Sequence, residues 1–177
     1  MPRHLFRIEP FQIKNAKKLV SWMESERFQA IWCANTFAWP LTVEAIQEML
    51  DLCASDAPHR QLLQVVNPSG EMVGFFGIRR IDSRGTAGHL SLVIVSPDCR
   101  GEGVGKAMVK AALDHGFLKQ GFSRVQLKVF HVNPAAHKCY EACGMTPWGP
   151  KNAPFHFKGE RWEVTTLAKE HKAPQGK

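Results

Sequence analysis

The stretch Leu90–Leu113, LSLVIVSPDCRGEGVGKAMVKAAL, decides how this chain is read. An apolar run through Leu92, Val93, Ile94 and Val95 is stopped by Pro97, a basic glycine turn follows from Arg100 to Lys106, and apolar residues at helical spacing come after it. The order is strand, turn, helix. Gly101, Gly103 and Gly105 carry no Cβ, so the backbone can take positive φ there and approach a ligand closely. Their N–H groups lead into a helix N-terminus, where unpaired donors and the positive dipole end favour a phosphate. Arg100 and Lys106 add full charges.

Spacing excludes two common glycine motifs. A nucleotide triphosphatase loop needs a glycine five residues before Gly105-Lys106 and a Ser or Thr after them, and Arg100 and Ala107 stand there. A dinucleotide fingerprint begun at Gly101 or Gly103 would need its third glycine at Lys106 or Met108. What remains is Arg100-x-x-Gly103-x-Gly105 behind Val95-Ser96-Pro97 and its strand. This resembles the acetyl-coenzyme A signature of the GNAT superfamily of N-acetyltransferases. A second segment, Asn133-Pro-Ala-Ala-His-Lys-Cys-Tyr140 followed by Glu-Ala-Cys-Gly144, resembles the stretch after that superfamily's fifth strand. The first third of the chain also resembles the ribosomal-protein acetyltransferase branch.

The rest of the chain is read by periodicity. A first strand is expected over Leu5 to Ile8, closed by Pro10, then a helix over Ile13 to Met23. Phe28 to Pro40 breaks that period while concentrating Phe28, Trp32, Phe37 and Trp39. Thr42 caps a second helix, with Glu44 in its first turn. Leu62 to Val66 and Met72 to Arg79 flank the turn Asn67-Pro68-Ser69-Gly70 and read as a hairpin. After the organising strand and a helix over about Val104 to Leu118 come a strand over Val125 to Val132 and a helix from Asn133-Pro134 to Gly144. Phe155 to Lys158 and Trp162 to Leu167 read as a last hairpin, and the tail 171–177 as disordered. The order β-α-α-β-β-β-α-β-α-β-β is that of an α/β (α+β) GNAT-like fold. The resemblance implies a mixed, mainly antiparallel sheet whose central parallel strand pair splays apart, in one acyltransferase domain over residues 1–170.

At 177 residues, with 44% hydrophobic and 22% charged content, the chain suits one soluble domain with a sizeable core. The N-terminus has no apolar segment of secretory length, and no window reaches the roughly 18 apolar residues of a membrane span, so a cytoplasmic protein is expected. Five cysteines, odd in number and without a short paired spacing, read as free thiols. His137, Cys139 and Cys143 cluster in sequence, but helical spacing accounts for them and no metal is assigned. The net charge of +7 is spread along the chain, so a polyphosphate coenzyme accounts for it without nucleic acid. Neither recognition helix nor stacking motif points to nucleic acid, and a homodimer is left open.

If the resemblance holds, main chain around Val93 and Val95 bonds the pantetheine arm and polarises the acetyl carbonyl of acetyl-CoA. Amides across Arg100, Gly101, Gly103, Val104, Gly105 and Lys106 take the pyrophosphate, Asn133 contacts the coenzyme arm, and Tyr140 protonates the departing thiolate. Each has a plainer structural role beside this one: strand core for the valines, a helix cap for Asn133, a packed ring for Tyr140. A phenol near pKa 10 stays protonated at neutral pH and is a sound donor. The attacking amine must lose a proton, and His89, His131 or a water chain are the candidates. By resemblance the acceptor pocket lies between the N-terminal helical region and the last hairpin, near Trp32, Phe37, Trp39, Phe155 and Trp162, residues that equally suit an aromatic core. Protein N-termini, lysines, polyamines, amino acids and aminoglycosides all remain acceptors. A non-catalytic acyl-CoA-binding module is the alternative reading.

Overall fold

The computed structural model describes residues 6–57 and 59–171. Among them one seven-stranded sheet carries helices on both faces. The N-terminal strand β1 (Arg7–Pro10) is an edge, which is why Pro10 sits inside the strand and does not merely close it. A 3-10 turn at Ile13–Asn15 then leads into α1 (Ala16–Ser21), so the expected Ile13 to Met23 helix is shorter and tighter at its start. An additional helix, α2 (Glu26–Cys33), occupies the aromatic segment in which no helix was expected. It is capped by Ser25, whose hydroxyl accepts from the Phe28 N–H at 3.1 Å. Thr42 caps α3 (Val43–Ser55) as expected, accepting from the Ala45 N–H at 3.1 Å.

Strands β2 (Arg60–Val66) and β3 (Met72–Arg80) form the expected hairpin, and β4 (Ala87–Val95) pairs antiparallel with β3. Helix α4 (Val104–Asp114), continued by a π turn at His115–Lys119, crosses to β5 (Arg124–Phe130), which runs parallel to β4. Helix α5 (Pro134–Ala142) follows Asn133, whose Oδ1 accepts from the Ala136 N–H at 3.3 Å, and Gly144 lies beyond it at φ +85°. A two-residue strand β6 (Thr146–Pro147) comes next. The expected last hairpin divides: β7 (Phe155–Phe157) and β8 (Glu160–Trp162) form a separate ribbon, and β9 (Val164–Glu170) enters the main sheet between β5 and β6. His171 is anchored, its N–H donating to the Ser123 carbonyl at 2.8 Å and its ring stacked on Phe117, while the rest of the expected tail lies outside the described residues.

One apolar cluster joins the sheet to α4 and α5 through residues such as Leu90, Met108, Leu113, Val125, Leu127 and Tyr140. The other joins it to α1–α3 through Leu19, Trp22, Ile46, Phe75, Leu92 and Ile94. β4 belongs to both. Strict alternation would put Leu90, Leu92 and Ile94 on one face, yet Leu90 packs in the first cluster and Leu92 and Ile94 in the second. The phase slips because Gly77 faces Ser91 while Phe75 faces Ile94, which leaves one extra residue in β4. Leu92 takes the slip at φ +54°, a left-handed conformation rare for a bulky side chain. The two parallel strands separate just before that bulge: their pairing runs from Ala87–Arg124 to His89–Gln126 and stops.

Candidate active site

The opening between β4 and β5 holds three adjoining cavities. The first, about 380 Å³, is lined by Val93, Ile94 and Val95, by Gly105, Met108 and Val109 of α4, by Asn133, Ala136, Cys139 and Tyr140 of α5, and by Phe28 and Arg100. The second is a narrow passage of about 60 Å³ between the strands, where Leu90 to Val93 face Leu127 to Phe130, with Trp32, Asn133 and Tyr140 on its walls. The third, about 400 Å³, lies on the opposite side of the passage, between the C-terminal half of α2, the start of β4, Lys128 and Phe130 of β5, and the segment Asn152–Phe155.

At the mouth of the first cavity the chain runs through Gly101 at φ +81° and Gly103 at φ +79°, with nothing within 4 Å of a Cβ built at either position. The open space points outward. Gly103 is the N-cap of α4, and the first helical bond is donated by the Ala107 N–H to the Gly103 carbonyl at 3.1 Å. The amides of Gly103, Val104, Gly105 and Lys106 are thus the four donors that a helix leaves without an intrahelical acceptor. Val104 itself is buried in the core, so only its main chain is available. Lys106 is exposed. The Arg100 guanidinium is engaged: Nη1 lies 2.8 Å from Oε1 of Glu24, and the group sits 5.1 Å above the Phe28 ring. The turn is thereby tied to the α1–α2 segment.

Tyr140 is 8% exposed and lines both the first cavity and the passage. Its hydroxyl has no hydrogen-bond partner among the described residues, and burial, reinforced by the neighbouring Cys139 and Cys143 thiols, raises its pKa well above the ordinary phenol value. A neutral O–H therefore faces the cavities at any physiological pH. Cys139, on the same wall, is pushed up to about 11 by burial and stays a thiol. Asn133 uses Oδ1 as the α5 cap and lines both cavities. His137 stands away from the cavities with Nε2 3.4 Å from Glu141.

The two candidate bases differ in place. His89 lines the third cavity, and burial, with Arg79 and Lys128 adding to it, lowers its pKa to about 4. His131 is exposed at the end of β5, and its Nδ1 accepts from the Glu163 N–H at 2.9 Å. With that lone pair occupied, its free ring nitrogen carries the proton, so neutral His131 has no site with which to act as a base. Of the five aromatics expected at the acceptor pocket, Trp32 and Phe155 line the third cavity. Phe37 is buried behind Trp32, stacked at 5.9 Å, Trp162 is 1% exposed among the hairpin rings, and Trp39 is 44% exposed and lies off the cavity. The side walls are clamped together. Arg27 of α2 meets Glu160 of the hairpin through two 3.0 Å bonds and holds that carboxyl down at about 2. Ser91, Lys128 and Asn152 also line the third cavity and were not singled out from the sequence. Their signal was faint: Gln126 and Lys128 alternate with buried Val125, Leu127 and Val129 along β5.

In fold, the chain is similar to the spermidine N-acetyltransferase of Vibrio cholerae solved in complex with CoA and spermine, with a TM-score of 0.80 over 93% of this chain and 95% of that one at 16% identity. In sequence it is 34% identical over 92 residues to the peptidyl-lysine N-acetyltransferase YjaB of Escherichia coli, 51% of this chain and 58% of that protein. It is also 34% identical over 88 residues to a mycothiol acetyltransferase of Salinispora tropica, 49% of this chain and 29% of that protein. The chain therefore spans between about a third and three fifths of the length of these two relatives. Residues 19–145, which run from α1 past α5 and include the glycine turn and both strands of the splayed pair, match the acetyltransferase (GNAT) family, and the chain belongs to that family.

Proposed function

We propose that this protein is an N-acetyltransferase that moves the acetyl group of acetyl-CoA to a primary amine by direct attack in a ternary complex. The observation that carries the reading is the position of Tyr140 on both the large inner cavity and the passage leading to the third. Acetyl-CoA supplies the thioester. Its pyrophosphate is assigned to the amides of Gly101 to Lys106 and its pantetheine arm to the cavity along Val93–Val95. Separation of β4 from β5 leaves main-chain groups of β4 unpaired on that side, free to bond the arm and to polarise the acetyl carbonyl. Asn133 keeps its Nδ2 for the arm while Oδ1 caps α5.

The amine enters from the third cavity. Its nitrogen forms the new C–N bond, the C–S bond breaks, and the Tyr140 O–H gives its proton to the leaving sulfur while the nitrogen loses one of its own. His89, neutral in the third cavity, or a water held there receives that proton. Free thiols throughout the described residues accord with a cytoplasmic location.

Tyr140→Phe tests the reading, since it removes one oxygen and keeps the buried ring. Thiol release under saturating substrates should fall on the order of a hundredfold, the usual contribution of a positioned acid, while titrated acetyl-CoA affinity stays within about threefold. Undiminished turnover would take Tyr140 out of the acid role. Coenzyme binding without thiol release across a broad amine panel would leave a binding module.

A further inference from the structure

The third cavity is cationic, and no Asp or Glu among the described residues lines it. Its charge comes from a row that crosses the sheet by register: Arg60 lies opposite Arg79, Arg79 opposite His89, and His89 beside Gln126, with Lys128 two residues farther along the same face of β5. Arg60 has a carboxylate, Asp56, at 3.8 Å. Arg79 and Lys128 have none among the described residues. Arg79 lines a smaller hollow that shares His89, Ser91, Leu92 and Thr36 with the third cavity, and Lys128 lines the third cavity itself. The rest of the wall is largely apolar, with Phe130 beside Lys128 on β5 and Trp32, Pro154 and Phe155 on other segments.

We propose that the acceptor is a small amine that also bears a carboxylate and an apolar or aromatic body, as an α-amino acid does, and that it is not a polyamine; this rests on the acetyl-transfer reading above. A polyamine brings further ammonium groups, each needing carboxylates to replace its lost hydration, and this cavity offers Lys128 instead, with Arg79 in the adjoining hollow. A carboxylate supplies the charge those two cations lack, and the aromatic wall takes the body. The amine has neutral partners: Ser91 Oγ, and Oδ1 of Asn152, whose Nδ2 is spent on the Val164 carbonyl at 3.3 Å and Thr166 Oγ1 at 2.9 Å. Burial, with the two cations adding to it, depresses the pKa of His89 between them. Such surroundings also disfavour the protonated amine, which helps to generate the nucleophile in a site without a carboxylate base. A volume of about 400 Å³ suits a small molecule.

The test is thiol release at saturating acetyl-CoA with L-phenylalanine, L-leucine, L-phenylalaninamide, spermidine and a lysine peptide. The amino acids should be used with kcat/KM at least tenfold above the amide, and spermidine least well. Lys128→Gln and Arg79→Gln, at exposed strand positions that tolerate substitution, should together raise KM for L-phenylalanine about tenfold with kcat retained and leave the amide unaffected. Spermidine or the amide used as well as the amino acids, or an unchanged KM in the double variant, overturns the acceptor class. Turnover with spermidine or the peptide alone overturns it and keeps the transferase reading. Absence of thiol release from every amine, by protein that binds acetyl-CoA, takes down both.

Discussion

Burial sets the chemistry of single residues here by fixing which protonation state survives. Tyr140 is kept neutral by its apolar surroundings, and so is His89, whose charged form is opposed by burial and by two cations. For His89 the folded pKa of about 4 lies below the usual 6.5. Between those values the unfolded chain binds a proton that the folded chain rejects, so stability present above pH 6.5 is lost as pH falls toward 4. The loss attributable to His89 is on the order of 2–3 kcal/mol. Chemical denaturation at pH 7 and pH 4.5 should show it in the wild type, and His89→Gln should narrow the difference. Asn133 separates two roles by substitution. Asn133→Ala removes the α5 cap and should cost about 1 kcal/mol in thermal denaturation, whereas Asn133→Asp keeps the cap, holds stability within about 0.5 kcal/mol, and should still weaken acetyl-CoA binding several-fold in titration. The sequence made Tyr140, Asn133 and the glycines visible through their spacing. It did not show which histidine faces a cavity, because His89 and His131 differ by the course of the backbone around them.

At the scale of elements, close approach governs the splayed pair. A Cβ at Gly88 would lie 2.4 and 2.5 Å from ring carbons of Phe122, beside the last paired residues of β4 and β5. Gly88→Ala should therefore cost about 1–3 kcal/mol of stability by overpacking, read from the urea midpoint. Strand, glycine turn and helix were legible because their hydrophobic periods change sharply there. Helix α2 was not. Its polar face is replaced by cavity wall, Phe28 toward the inner cavity and Ile31 and Trp32 toward the third, so the amphipathic period is blurred and only the Ser25 cap marks its start. The split of Trp162 to Leu167 was hidden in the same way. An unbroken β-prone run gives no sign that at Glu163, whose N–H donates to His131, the chain leaves the ribbon for the main sheet.

Across the whole molecule the sheet separates two apolar cores, and the bulge at Leu92 lets one strand serve both. The passage that connects the cavities lies beside the slip, where β4 and β5 no longer pair, and nothing in the pattern of Leu90 to Val95 announces the slip, since every residue there is apolar or small. Among the described residues no helix is long and apolar enough to cross a membrane. A few of the cations behind the net charge of +7 stand at sites: Arg100 and Lys106 at the glycine turn, Lys128 on the third cavity and Arg79 on the hollow beside it.

The most direct test of the account is calorimetric titration with acetyl-CoA of the wild type and of Gly103→Val, with ATP and NAD as controls. A Cβ at this position meets no atom within 4 Å, and the φ of +79° strains the backbone by about 1–2 kcal/mol, which a folded domain can absorb. The account predicts selective, saturable, one-to-one binding by the wild type and its loss in the folded variant. No binding by the wild type, or equal binding by Gly103→Val, would contradict it.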